Sequence, residues 1–247
     1  MRLDKFVCKS TVLSRSQARA AIAAGEVSVN NERVYDESKQ VHENNHVVLT
    51  RYANGQMNGA QKEQVLVTRP FRYLLFHKPS NTLSSNVDGD HPSIFNHIDI
   101  DNPDELHIVG RLDADTTGLV LITDDGRWSF DIIRPQKQCA KTYRVSLRDP
   151  IKTEVIERFL QGIQLQGESS LTLSAFVSVV NDKEVLLTIT EGRYHQVKRM
   201  FAAVGNRVQA LHREQIGSVT LDIPVGEWRY LTTDEIASFQ SSNEERL

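Results

Sequence analysis

The chain has 247 residues, with 29 Lys or Arg against 32 Asp or Glu and a formal net charge of -3, so it is no uniformly basic nucleic-acid binder. No run approaches the roughly 18 apolar residues of a membrane span. The start Met1-Arg2-Leu3-Asp4-Lys5 lacks the apolar core of a signal peptide, which leads us to expect a soluble, cytoplasmic protein.

Leu3, Phe6 and Val7 fall on one face of a short helix. Ser14 caps a second, running from Arg15 to Ala24 and closed by Gly25. Glu26-Val27-Ser28-Val29 alternates as a half-buried strand, Asn30-Asn31 turns the chain, and Arg33-Val34 starts the return of a hairpin. Two small helices and a hairpin, with the wording Ser-Arg-Ser-Gln-Ala-Arg-Ala-Ala-Ile-Ala-Ala-Gly-Glu-Val-Ser-Val-Asn, resemble the S4 RNA-binding module. Residues 1–25 hold Arg2, Lys5, Lys9, Arg15 and Arg19 against Asp4 alone. The resemblance implies that Arg2, Lys5, Arg15 and Arg19 meet RNA. Arg15 and Arg19 share a helix face, where like charges cost about a few tenths of a kcal/mol that phosphate would relieve; alternatively they only solubilise an Ala-rich helix.

From Tyr52 to Gln64 the chain is polar and without period, as an exposed linker would be. This divides the chain into a small module over 1–50, a linker over 51–68 and a larger body over 69–247. Arg72-Tyr73-Leu74-Leu75-Phe76 reads as a strand that His77-Lys78-Pro79 ends. Ser84 to Asn102 is polar and reads as a mobile loop. His91, His97 and His107 fit no metal-ligand spacing, and Cys8 and Cys139 are far apart, so neither a metal site nor a disulfide framework is expected.

The body is organised around Gly110-Arg111-Leu112-Asp113-Ala114-Asp115-Thr116-Thr117-Gly118-Leu119-Val120-Leu121-Ile122. Two carboxylates precede a hydroxyl-rich turn and then a strand apolar enough to be covered on both faces, closed by Asp124-Asp125-Gly126. A carboxylate at the mouth of such a core element can be desolvated and aimed. The wording Gly-Arg-Leu-Asp-x-Asp-Thr-Thr-Gly-Leu resembles the signature of the RsuA- and RluA-type pseudouridine synthases, which implies that Asp113 is the catalytic residue. The family also carries a Lys-Pro motif, here Lys78 and Pro79, as a support beneath the site. It usually has Asn before that Lys and a Gly just beyond, where this chain has His77 and Asn81.

Trp128 to Ile133 suggests a helix ended by Pro135, and Lys141 to Leu147 alternates as a strand. The resemblance gives Tyr143, in Lys-Thr-Tyr, the role of stacking on the target base. Residues 151–161 form an amphipathic helix, and Val185 to Thr190 a strand. Glu191-Gly192-Arg193-Tyr194-His195-Gln196-Val197-Lys198-Arg199-Met200-Phe201 follows as a turn and a helix within a second basic island, residues 191–214. By resemblance Lys198 pairs with the catalytic carboxylate, Val197 floors the pocket, and Arg111 fills the space of the flipped base or holds flanking phosphates. Arg193, His195 and Arg199 are expected to meet RNA. Ser241 to Leu247 should be disordered.

The resemblance implies an α+β fold, an S4-like domain plus a catalytic domain whose mixed, largely antiparallel central sheet is flanked by helices. It implies a monomer that needs no cofactor or metal and isomerises one uridine of ribosomal RNA, in 16S rRNA or a small-subunit assembly intermediate. Asp113 would act as nucleophile or base, kept ionised by Lys198. A 23S rRNA uridine is the alternative target. Two other classes stand beside it: a glycoside hydrolase using Asp113 and Asp115, about 6.6 Å apart on an extended segment, and a non-catalytic ribosome-binding protein using the basic islands alone.

Overall fold

The computed structural model describes residues 1–42, 44–52 and 61–240, which fall into two compact units, Met1–Pro70 and Phe71–Leu247. The first unit opens with helices α1 (Leu3–Ser10) and α2 (Arg15–Ala23). The Ser14 side chain accepts from the Gln17 N–H while the Gln17 side chain returns to the Ser14 N–H, a reciprocal cap that fixes where α2 begins. Strands β1 (Val27–Val29), β2 (Glu32–Arg33), β3 (Val47–Tyr52) and β4 (Gln61–Val65) form an antiparallel sheet in the order β2-β1-β3-β4. Leu3, Phe6, Val7, Ile22, Val27 and Leu49 pack as its core.

The linker expected over 51–68 is therefore too long. Gln61 to Val65 pairs with β3 from Tyr52 back to Val48, and Leu66 is buried against the same core. An edge strand of Gln, Lys and Glu shows no apolar alternation because neither face is buried along most of its length; residues 53–60 lie outside the described residues. The first unit ends at Pro70 and not near residue 50.

The second unit is built on a nine-stranded mixed sheet. Its strands are β5 (Tyr73–Lys78), β6 (His107–Val109), β7 (Thr117–Thr123), β8 (Lys141–Leu147), β9 (Phe176–Asn181), β10 (Glu184–Ile189), β11 (Val208–Ile216), β12 (Val219–Thr220) and β13 (Trp228–Tyr230). The order is β13-β5-β7-β11-β8-β10-β9, with β6 on β7 and β12 on β11. Among the described strands of this sheet only β7 and β11 pair in parallel. Helices α3 (Gly126–Ile133), α4 (Thr153–Gln161), α5 (Gln196–Ala203) and α6 (Thr233–Ser238) complete the unit.

Leu119 to Ile122 is wholly buried, as its unbroken apolar run requires. Val120 and Ile122 face a core shared with Phe159 of α4 and Met200 and Phe201 of α5. Leu119 and Leu121 face the opposite layer, with Trp128 and Ile132 of α3. Sheet and helices thus hold β7 from both sides, and the loop over 110–116 that enters it leaves a rigid frame.

The segment 84–102 is packed and not a mobile loop. Ser84, Ser93 and Ile94 are buried, Ser93 Oγ donates to the Ser85 carbonyl at 2.6 Å, and Asp88 accepts from the Ser93 N–H. Side-chain to backbone bonds replace the ladder that periodicity could have revealed. Residues 241–247 lie outside the described residues.

Candidate active site

The loop carrying Asp113 is held by backbone contacts along its whole length. Lys78, at the end of β5, is fully buried, and its ammonium donates to the carbonyls of Pro79 (3.0 Å), Ala114 (3.0 Å) and Thr116 (2.8 Å). Burial pushes its pKa down to about 8, against the opposing pull of the Asp115 and Asp113 charges. The Asn81 N–H adds a second donor to the Ala114 carbonyl, at 2.8 Å. Asn81 has φ 59, the left-handed conformation that Asn tolerates, so its departure from Gly does not break the turn.

Two further supports come from residues that the sequence reading passed over. Buried Ser84 accepts from the Leu112 N–H at 3.0 Å and donates to the Leu112 carbonyl at 2.9 Å. Arg213 on β11, 1 % exposed, donates from Nε to the Leu119 carbonyl (2.7 Å) and from Nη2 to the Gly110 carbonyl (2.9 Å). The close approach that allows this depends on Gly118, since a Cβ there would stand 2.3 Å from the Arg213 carbonyl oxygen, and its φ of 110 is strained for any side chain. The inward alternation of Leu211 and Arg213 in a strand pattern was the available signal for Arg213. An isolated Ser gives none.

Asp113 emerges from this cradle about one-third exposed, with a partner on each carboxylate oxygen. Lys198 Nζ lies 3.1 Å from Oδ2 and His195 Nε2 lies 3.3 Å from Oδ1. Lys198 is shared, because its Nζ is also 2.7 Å from Oδ1 of Asp115. Burial works against the Lys198 charge, but the bonds to Asp115 and Asp113 outweigh it and raise its pKa. The bond from Lys198 holds Asp115 below the usual carboxylate range, with its side chain 69 % exposed. A depressed, solvated carboxyl is the opposite of a proton donor, so Asp115 is not the acid of a two-carboxylate hydrolase.

Asp113, His195 and Lys198 line a cavity of about 710 Å³ together with Arg111, Tyr143, Lys141 and Val197. Val197 is buried, as a floor residue should be, and Arg111 is exposed at the wall. Tyr143 is 7 % exposed, and its hydroxyl is not left without a partner, since Arg213 Nη1 lies 3.5 Å away and the guanidinium sits 5.9 Å from the ring centre. Burial lowers the pKa of neighbouring Lys141, whose ammonium donates to the Cys139 carbonyl at 2.9 Å.

Several residues expected to meet RNA have partners within the protein. Arg193 donates to the carbonyls of Ser170 (2.9 Å) and Leu171 (2.6 Å) and pairs with Glu191. Arg199 pairs with Glu168 and donates to the Gln166 carbonyl at 2.7 Å. Both therefore fasten residues 166–171 to the start of α5. His195, also expected on RNA, stands beside Asp113. In the first unit Arg2, Arg15 and Arg19 converge on the fully buried Asp4 at 3.1, 3.2 and 3.5 Å, and Arg2 and Arg19 also reach Glu37. The repulsion between Arg15 and Arg19 is thus relieved inside the protein. Burial pushes the Asp4 carboxyl up, but the bonds from Arg2 and Arg15 win and its pKa falls. Lys5 contributes its backbone N–H to Asp4, at 2.9 Å.

Residues 72–203 match the model of the RNA pseudouridylate synthase family, and residues 1–47 match the S4 domain. The chain belongs to the RNA pseudouridylate synthase family. It is 46% identical over 242 residues to the ribosomal small subunit pseudouridine synthase A of Vibrio vulnificus, covering 96% of this chain and 99% of the relative. The protein of the same name from Escherichia coli K12 is 43% identical over 240 residues, covering 96% and 99%. A crystal structure of a pseudouridylate synthase superposes with a TM-score of 0.68 at 41% identity, covering 97% of this chain and 99% of that one. As a member of this family the protein is an RNA-modifying isomerase with an S4 RNA-binding domain, which removes the purely structural ribosome-binding alternative. No helix of the described residues is long and apolar enough to cross a membrane.

Proposed function

We propose that this protein converts one uridine of small-subunit ribosomal RNA to pseudouridine in the cytoplasm, as a monomer, with Asp113 as the catalytic residue. The observation that carries the proposal is the Asp113 carboxylate, set in an open cavity with a nitrogen on each oxygen and its loop braced by Lys78, Ser84 and Arg213. The small-subunit target is supported by the name shared by the relatives above.

The reaction breaks the bond from N1 of uracil to ribose C1′, turns the base, and joins C5 to C1′; the proton lost from C5 is balanced by one gained at N1. The base first leaves its stack, at a cost of a few kcal/mol in structured RNA. Tyr143, on the cavity lining, would receive it, and Arg111, exposed at the wall, would fill the vacated space or hold a flanking phosphate. Asp113 then attacks C1′ or removes the C2′ proton, and Lys198 orients it for either step. The chemistry needs no electron or group donor.

The test is a map of pseudouridines in 16S and 23S rRNA from cells with and without the gene, followed by conversion of an unmodified 16S rRNA transcript by the purified protein. Loss of a single 16S pseudouridine, regained in vitro, is expected. Loss at a 23S position would move the substrate to the large subunit.

A further inference from the structure

Tyr194 has no part in the mechanism above, yet among the described residues it is the most exposed aromatic side chain of the second unit, at 77 %. A ring left so far in water forgoes the stabilisation that burial would give it. It is nevertheless held in place. The ring lies on the imidazole of His195 at 3.8 Å between centres and 22° between planes, and His195 is itself anchored by Nε2 to Asp113. The main chain beneath is fixed as well, since the Tyr194 carbonyl accepts from Arg199 Nη1 at 3.1 Å and the Arg193 N–H donates to the Gln196 side chain at 2.8 Å. His195 adopts the left-handed conformation, φ 49 and ψ 34, to turn its ring between Tyr194 and the carboxylate.

One face of the Tyr194 ring is therefore occupied and the rest is offered to the cavity that holds Asp113, with Arg111 on the same lining. That cavity, about 710 Å³, lies in the range that accommodates ligands well beyond a single pyrimidine. The Tyr194 ring thus lies one stacking distance, 3.8 Å between centres, to the side of the imidazole that touches Asp113, where a nucleotide adjoining the target would pass. A fixed exposed ring on a cavity that also carries an Arg side chain suits a base and its phosphate.

We infer that Tyr194, backed by His195, is a stacking platform for a nucleobase adjoining the target uridine in the RNA strand. It reads position in the strand and not base identity, because every base offers a π face. The inference rests on the pseudouridine synthase function proposed above.

The experiment measures kcat and KM for pseudouridine formation in the shortest 16S rRNA fragment that the full-length wild-type protein modifies, with Tyr194→Leu, Tyr194→Phe and Tyr194→Trp beside it. The same fragment is also made with an abasic residue on each side of the target in turn. We expect Tyr194→Leu to lower kcat/KM by about 5- to 100-fold, mostly through KM, and Phe and Trp to keep most of it. One abasic substitution should cost the wild type a similar factor and cost Tyr194→Leu little. Circular dichroism of each variant separates this from unfolding, and a Leu variant that loses its fold is replaced by Tyr194→Gln. Equal kcat/KM for wild type and Leu variant, or equal losses by both on every abasic RNA, overturns the platform alone. A wild-type protein that forms no pseudouridine in any rRNA overturns the functional reading and this inference with it.

Discussion

The hydroxyl of Ser84 holds both backbone groups of Leu112, accepting from its N–H at 3.0 Å and donating to its carbonyl at 2.9 Å, with all of these atoms buried. The residue that follows is Asp113. Ser84→Ala leaves a buried donor and acceptor unpaired, which should cost about 1–3 kcal/mol of stability. It should also lower kcat by about 10- to 100-fold with little change in KM, because the carboxylate loses its aim while the cavity keeps its walls. Urea denaturation and steady-state kinetics on one preparation test both; an unchanged kcat would show that Lys78 and Arg213 suffice.

Asp113 and Asp115 share Lys198 but differ in what they can do. Asp113→Asn should keep fold and RNA binding and cut turnover by about 10³-fold or more. Asp115→Asn, at a largely exposed position, should stay within about 10-fold of wild type, with Lys198 turning wholly to Asp113. A dead Asp115→Asn with a live Asp113→Asn would reverse the assignment.

Lys198→Met removes the donor from both carboxylates. Because the bond from Lys198 is what depresses Asp115, the variant's Asp115 should titrate closer to the ordinary carboxylate value, observable by carboxyl carbon NMR. Activity should fall by about 10- to 100-fold, and Lys198→Arg should lose less. A Met variant that turns over at the wild-type rate would dismiss the pairing as surface decoration.

Lys78 makes a prediction about alkaline stability. Its pKa is lowered to about 8 in the folded state from 10.5, so between these values the unfolded chain binds more protons, and stability contributed at this position rises with pH. Measured against Lys78→Met, the wild type should therefore gain relative stability from pH 8 to pH 10.5. A flat difference over that window would mean the buried amine does not titrate there.

Asp4 behaves in the opposite sense. Its folded pKa lies below 3.8, so its contribution is complete above that value and is lost as pH falls through the folded pKa. Asp4→Asn should loosen the first unit by about 1–3 kcal/mol at neutral pH, discounted for the water around its three Arg partners, and should make it insensitive to that acid step. Amide exchange over residues 3–23 in the full chain reports the effect.

What could be read from the amino acids alone follows from how each part is stabilised. The run Leu119 to Ile122, the Ser14 cap and the Gly25 stop are local patterns, and each occurs in the structure where the pattern puts it. The contact of Lys198 with Asp113 followed from family resemblance, whereas its sharing with Asp115 did not, because the loop's curvature is set by Lys78 and Asn81 bonding to the Ala114 carbonyl. Gln61 to Val65 was missed because a polar edge strand carries no apolar period. The internal partners of Arg15, Arg193 and Arg199 were not legible, because a charge count cannot see Asp4, Glu168 or the carbonyls of Ser170 and Leu171 arriving from elsewhere in the chain.

The bond from Arg213 to the Gly110 carbonyl spans 103 positions of sequence, and its partner bond to Leu119 spans 94. During synthesis at about 5–20 residues per second, the loop around Asp113 therefore waits several seconds for its last brace to be made. The first unit, complete by Pro70, can fold well before that. A nascent chain in this interval holds the whole first unit and a carboxylate loop still without the Arg213 brace that completes its support.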